Sequence, residues 1–178
     1  MYKRQVLNLV ASSLFLIGIG ILYGLLGTLN LADLALKIAE ADAERQPLLA
    51  AAGFLLLIVF GLKAAVLPLY FWLPSAYAAA TAPVAALFAI MTKVGLYAIV
   101  RVFTLLFGSQ AGGLAHLVDG LLWPLAMLTL AAGVIGALAV RSFERLIGYL
   151  VIVSVGTLLA GIALSLIHIS EPTRLRRI

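Results

Sequence analysis

The sequence predicts an all-α protein: a polytopic transmembrane helix bundle of about five spans, one of them broken after Lys63. Three observations predict it. The chain is 65% hydrophobic and 11% charged, with a mean hydropathy of +1.20, whereas soluble domains sit near ~45–50% apolar and ~25% charged. Its apolar residues gather into runs long enough to cross a hydrocarbon core, which takes ~20 residues at 1.5 Å each. One of those runs carries Lys63, Pro68 and Pro74, an ammonium followed by two residues that cannot donate a helical hydrogen bond. No water-soluble fold buries this much apolar surface, so the bilayer is the solvent.

Composition also excludes whole classes of function. There is no cysteine, hence no disulfide and no thiolate metal site, and two histidines are too few for a histidine cage. Of the net charge of +5, all but one unit is carried by the ends, where Lys3, Arg4, Arg174, Arg176 and Arg177 lie with Glu171. Between residues 6 and 163 seven basic residues face six acidic ones, so a nucleic-acid role would rest on the termini alone. No Ser-His-Asp set, GxSxG, GxGxxG or Walker loop is present. Neither a soluble catalytic site nor a cofactor is expected.

Both ends have a foreign look. MYKRQ and LSLIHISEPTR resemble translated transposase-adapter sequence from DNA library preparation. Residues 2–5 encoded as TAT-AAG-AGA-CAG reverse-complement to codons for Leu-Ser-Leu-Ile, which stand at residues 164–167. A GTG start reverses to CAC, matching His168. Residues 1–5 and 164–178 are therefore expected to be non-native, with 6–163 as the biological segment. The other reading is a basic tail that binds anionic lipid.

Residues 6–29 form an uncharged run long enough to span, with Gly18, Gly20, Gly24 and Gly27 spaced for close helix packing. Residues 30–47 change character: Leu31, Leu34, Ala35 and Ile38 recur at helical spacing, with Asp33, Lys37, Glu40 and Glu44 elsewhere around the turn. This predicts a short amphipathic helix at the interface. Glu40 and Glu44 could meet a cation, but a solvated face is the simpler reading. The run over 48–77 would reach ~45 Å as one straight helix, beyond a ~30 Å core. It is expected to be discontinuous, with Pro68 marking the break and Trp72 and Tyr77 anchoring the interface.

A tight link at 78–82 leads to the third span, 83–107, with Pro83 suited to its first turn. Lys93 lies ten residues beyond Pro83, ~15 Å in and close to mid-membrane. Lys93, Tyr97 and Arg101 stand four apart and line one stripe, with the small Ala86 and Ala89 before them. Residues 108–118 read as a glycine-rich loop, in which His116 is exposed. Asp119 precedes a fourth span, 120–140, with Pro124 in its first turns. After a short turn with Arg141, Glu144 and Arg145 comes a fifth span, 146–163, where Ser154 and Thr157 can bond the backbone. Loop charges nearly tie, and the 141–145 turn is assigned to the cytoplasm.

An ionisable residue inside a membrane span is a functional-site hypothesis by default. Lysine suits a proton relay because desolvation brings an ammonium toward its neutral form, and a change in hydration or in a partner carboxylate reverses that. Lys63 and Lys93 are the candidates; an inert scaffold with both lysines paired is the opposing reading.

FGLKAAVLPLYFWLP, PVAALFAIMTKVGLYAIVR, YGLLGTLNLADLA and SFERLIGYLVIVSVGTLLAGIAL resemble the antiporter-like subunits shared by Mrp-type Na⁺/H⁺ antiporters and the membrane arm of NADH–quinone oxidoreductase. Within that family the likeness is greatest to the MrpD (PhaD, MnhD) proteins and covers residues 6–163. It implies helices six to ten of a bundle of about fourteen helices, in a bacterial inner membrane. It also implies a relay of Lys63 on the broken helix and Lys93 on the next, serving proton exchange for Na⁺ or K⁺ beside other subunits of a hetero-oligomeric complex. The family's partner glutamate would precede residue 6. The rival implied reading is a proton-pumping subunit of NADH–quinone oxidoreductase or of a membrane-bound hydrogenase. Tyr70, where respiratory relatives often carry histidine, favours the antiporter.

Overall fold

The structure is a computed structural model that describes residues 2–170, with side chains over 5–165. Residues 171–178, which include Glu171 and the terminal arginines, lie outside the described residues. So do the side chains of Lys3, Arg4 and His168. Among the described residues every regular element is helical: α1 (Tyr2–Leu26), α2 (Leu31–Ala39), α3 (Gln46–Ala64), α4 (Trp72–Ala78), α5 (Ala82–Leu106), α6 (Asp119–Ala139) and α7 (Phe143–Ser170). Short 3-10 turns cover Leu69–Phe71 and Gly112–Leu114. Five segments are long and apolar enough to cross a membrane: Gln5–Leu26, Gln46–Ala78, Ala82–Leu106, Gly112–Ala139 and Phe143–Ser165. The expected all-α bundle with five spans is what forms.

The chain makes two compact units, the first up to Phe60 with Ala98–Val118 and the second Gly61–Tyr97 with the residues from Asp119 on. In the first, α1 stops at Gly27, whose φ of +71° suits glycine and whose N–H reaches the Tyr23 carbonyl at 2.7 Å. Two more carbonyls at this end are met by cations: Lys37 Nζ donates to Leu26 at 3.0 Å and Arg45 Nη1 to Leu25 at 3.4 Å. Favourable charge at a helix C-terminus and satisfied end carbonyls coincide here. Asn30 caps α2 by accepting from the Ala32 N–H at 3.0 Å, and Leu34 and Ile38 are its buried face. The Lys37 hydrogen bond, helped by Thr28, holds the Asp33 carboxyl below its ordinary value. A depressed carboxylate stabilises the fold above its unfolded value of 3.8 and loses that contribution as pH falls through its folded one.

Of the α1 glycines, Gly18 lies against Leu55 and Leu56 as packing required, whereas a Cβ on Gly20 or Gly24 would meet nothing within 4 Å. Small residues permit close approach; they do not compel it.

In the second unit α6 and α7 are joined by residues 140–142 and pack antiparallel along a glycine seam. A Cβ on Gly156 would lie 2.7 Å from the Leu130 amide nitrogen, and one on Gly133 2.9 Å from that of Val153. The Tyr149 ring covers Gly136. Pro124 sits inside α6 near its start, where few intrahelical bonds are lost. Backbone contact this close leaves no room for a side chain, so Gly156→Val is expected to cost about 1–3 kcal/mol and lower the melting temperature in lipid nanodiscs. Gly161 on the same helix faces open space, and Gly161→Ala is expected to leave the melting temperature unchanged or higher.

Candidate functional site

The second span breaks where a lysine precedes it. Helix α3 ends at Ala64, so Lys63 occupies its last turn, and the next α-helical residue is Trp72. Ala65 adopts φ +59°. The Ala65 N–H then turns back to the Leu62 carbonyl at 3.3 Å and the Val66 N–H to the Gly61 carbonyl at 2.9 Å. This pair of bonds is the Schellman ending, formed here with alanine at the left-handed position that usually holds glycine.

Pro68 was expected to cause the break. It stands instead three residues after the helix has closed, beside the 3-10 turn over Leu69–Phe71 and following a cis Leu67–Pro68 bond. Its effect is to bar resumption of the helix. Pro74 breaks nothing, because it falls in the first turn of α4, where no helical donor is needed.

The backbone groups stranded by the break find partners inside the protein. The Leu67 N–H donates to Thr129 Oγ1 at 3.0 Å, and that hydroxyl donates onward to the Leu125 carbonyl of α6 at 2.6 Å. The Trp72 indole N–H donates to the Leu62 carbonyl at 3.0 Å. The N–H groups that would continue the helix onto the Lys63 and Ala64 carbonyls are withdrawn, since Leu67 bonds Thr129 and Pro68 has none. Lys63 stands in the last turn of α3, one residue before the helix end at Ala64. Ala64, Ala65 and Val66 are buried and Lys63 is half-buried.

Trp72 and Tyr77 were expected at the membrane interface. Both are buried, 8% and 4% exposed, and both pack on Phe88 of α5, at ring separations of 6.5 and 6.2 Å. Trp72 is held inward by its bond to the break, a use for an indole N–H that composition does not reveal.

Helix α5 crosses the end of α3 in direct contact. A Cβ on Gly95 would lie 2.8 Å from the Ala64 nitrogen and 3.1 Å from its Cα, so only glycine allows this approach. Lys63 is one residue from the crossing and Lys93 two. The packed face of α5 holds Phe88, Thr92, Leu96 and Ile99, all buried. Lys93, one position on from Thr92, lies half-buried on its flank. The stripe through Tyr97 and Arg101 drifts around the helix, and both side chains are exposed, Tyr97 at 63%. Gly95 brings the α5 backbone against Ala64, next to Lys63; Lys93, two positions earlier on α5, is turned most of the way around the helix from that contact, and Tyr97 is exposed.

Sequence reasoning missed Gly95, Thr129 and Ala65. Thr129 had a signal, being the one hydroxyl in the apolar run of α6. Gly95 follows Lys93 closely but reads like any packing glycine, and Ala65 carries no signal. His116 is exposed, as expected, and Thr157 bonds the Ser154 carbonyl at 2.9 Å. Among the described residues no group of acidic or histidine side chains is arranged to hold a metal. A cleft of about 210 Å³ lined by Tyr70, Phe71, Pro74, Ser75, Arg145 and Tyr149 contains neither lysine.

Residues 2–171 match the family model described as NADH:quinone oxidoreductase/Mrp antiporter, TM. The chain is 50% identical over 157 residues to the D-type component of a probable K(+)/H(+) antiporter from Rhizobium meliloti, covering 88% of this chain and 29% of that protein. It is 48% identical over 162 residues to the D-type component of the Na(+)/H(+) antiporter from Bacillus subtilis, covering 90% and 32%. Two solved structures share its fold at 31% identity. One is the membrane-bound sulfane sulfur reductase, an archaeal respiratory membrane complex, with a TM-score of 0.81 over 91% of this chain and 32% of that one. The other is the Mrp complex from Dietzia sp., with a TM-score of 0.74 over 89% and 28%. The chain spans about a third of the length of these relatives. A lysine-bearing broken span crossed by a second lysine-bearing helix, with this match over nearly its whole length, makes the chain a member of the NADH:quinone oxidoreductase/Mrp antiporter transmembrane family.

Proposed function

We propose that this chain is the lysine-bearing part of a proton-translocating subunit in a multisubunit monovalent cation/proton antiporter of a bacterial inner membrane. The observation that carries the reading is the crossing of α5 over the broken end of α3, with Gly95 against Ala64 and a lysine within two residues on each helix. Lys63, in the last turn of α3 beside the break, and Lys93, in the body of α5, are the two relay stations. A nearby carboxylate or a change in hydration would load and discharge them. Pro68 keeps the break open. Tyr97 and Arg101 are assigned a supporting role on the outer stripe, facing other parts of a complex.

Other subunits are the expected partners, since the similar proteins are named as components of antiporters. Those names include both K⁺ and Na⁺ exchange, and the transported cation here is either. The second reading, a proton-pumping membrane-arm subunit of a respiratory complex, has its own support in the TM-score of 0.81 to an archaeal respiratory complex. Identities of 41–50% to antiporter components of the D type weigh for the first.

Lys63→Ala and Lys93→Ala, made in an intact subunit carrying this segment, are each expected to lower ΔpH-driven cation exchange in membrane vesicles at least tenfold. Unchanged exchange with normal assembly would instead support an inert scaffold. Gly95→Val is expected to force α5 off Ala64 and to lower exchange more than assembly, as read by the ratio of transport rate to complex recovered.

A further inference from the structure

Among the described residues, the backbone donors of the break find partners of two kinds. Between Ala65 and Leu69, three turn back onto their own segment: Ala65 to Leu62, Val66 to Gly61 and Leu69 to Val66. The Trp72 indole does the same, bonding the Leu62 carbonyl. Pro68 has no N–H. Leu67 alone donates to another helix, and its acceptor is Thr129 Oγ1 at 3.0 Å. Thr129 is 0% exposed, and its own proton is committed to the Leu125 carbonyl at 2.6 Å. That commitment leaves the hydroxyl to act toward Leu67 as an acceptor.

The segment held by Thr129 has a second way to satisfy its donors. Ala65 stands at φ +59°, a left-handed setting that costs an alanine more than the right-handed helix does. With Ala65 right-handed, the N–H groups of Ala65, Val66 and Leu67 would meet the carbonyls of Gly61, Leu62 and Lys63, each four residues back. Pro68 does not forbid this turn, since Leu67 can donate to it from the extended setting that a following proline prefers. What opposes it is the bond that draws the Leu67 N–H to Thr129, together with the Trp72 indole on the Leu62 carbonyl. The unwound break is thus a held state, and the carbonyl that captures the Leu67 N–H on rewinding is that of Lys63.

We propose that Thr129 is a positioning residue for Lys63: its hydroxyl latches Leu67 to α6 and keeps the chain unwound directly after the lysine. This rests on the relay reading given above. Loss of the hydroxyl frees the Leu67 N–H in a place without bulk water, where a backbone donor cannot stay unpaired. It then takes the Lys63 carbonyl, and the chain winds up further and encloses position 63.

The test is Thr129→Val, which removes the hydroxyl at nearly constant volume, beside Thr129→Ser, which keeps it, in an intact subunit carrying this segment. Exchange per assembled complex is expected to fall at least about fivefold in Thr129→Val, the scale of one lost hydrogen bond, and to stay near the parent rate in Thr129→Ser. A second readout does not depend on transport. In an otherwise cysteine-free subunit, labelling of Lys63→Cys by a water-soluble thiol reagent is expected to slow at least about threefold when Thr129→Val is added. Unchanged exchange in Thr129→Val overturns the proposal, and does so with the relay intact if Lys63→Ala abolishes transport in the same preparation. Unchanged or faster labelling overturns it whatever the exchange rate. Unchanged exchange in Lys63→Ala overturns the relay and the proposal with it. Should Thr129→Val fail to assemble, Thr129→Ala is compared with Thr129→Ser. A rate per complex about fivefold lower in the alanine variant supports the proposal, and equal rates overturn it.

Discussion

Hydrocarbon offers a peptide group nothing to bond with, so a membrane-spanning helix can be interrupted only where protein or water takes over its stranded donors and acceptors. The architecture around residues 64–72 answers that constraint. A Schellman ending returns two N–H groups to Gly61 and Leu62, Thr129 accepts a third from Leu67, and Trp72 adds a donor to Leu62. Pro68 contributes no N–H at all, so it adds no donor that the interruption must satisfy.

Enclosing such a break requires neighbours that come very close, and close approach explains much of the second unit. Gly95 lets α5 touch the Ala64 backbone, Gly148 lets α7 touch Pro74 Cα, and Gly133 and Gly156 let α6 and α7 meet backbone to backbone. Helix α6 in turn presents Thr129 to the break. Glycine in a span therefore acts here through the backbone it admits more than through its own flexibility. The first unit solves a smaller version of the same problem at the end of α1, where Lys37 and Arg45 cover carbonyls that a helix end leaves open. Charges that look like a solvated face in the sequence are in part helix caps.

The fold was largely readable because hydropathy and length fix spans with little help from tertiary context. A run too long to be one helix, containing a lysine and two prolines, required an interruption, and its place after Lys63 followed. The agent was misread. Proline dominates sequence reasoning about helix ends, yet α3 closes at Ala65 through a left-handed alanine that no propensity scale flags. Trp72 and Tyr77 were misplaced for a related reason: aromatic belts are a statistical habit, whereas Trp72 is drawn inward by one hydrogen bond created by the break. The lysines were legible as exceptions in apolar runs. Gly95 was not, because a glycine in a helix becomes notable only once the facing helix is known, and Thr129 stood out only as the one hydroxyl of its apolar run.

A relay through these lysines requires the break to be a hydrated, protein-lined seam that both positions share. The chain lacks cysteine, so a single thiol can report on water at a chosen site, given that it is the thiolate that attacks a water-soluble thiol reagent. The most direct measurement is the labelling rate of Lys63→Cys and Lys93→Cys by a membrane-impermeant, water-soluble reagent, in an otherwise cysteine-free intact protein. Leu62→Cys, at a buried apolar position next to the break, is the reference. Labelling at 63 and 93 well above the reference is the result predicted here; labelling at both positions as slow as at 62 would contradict it.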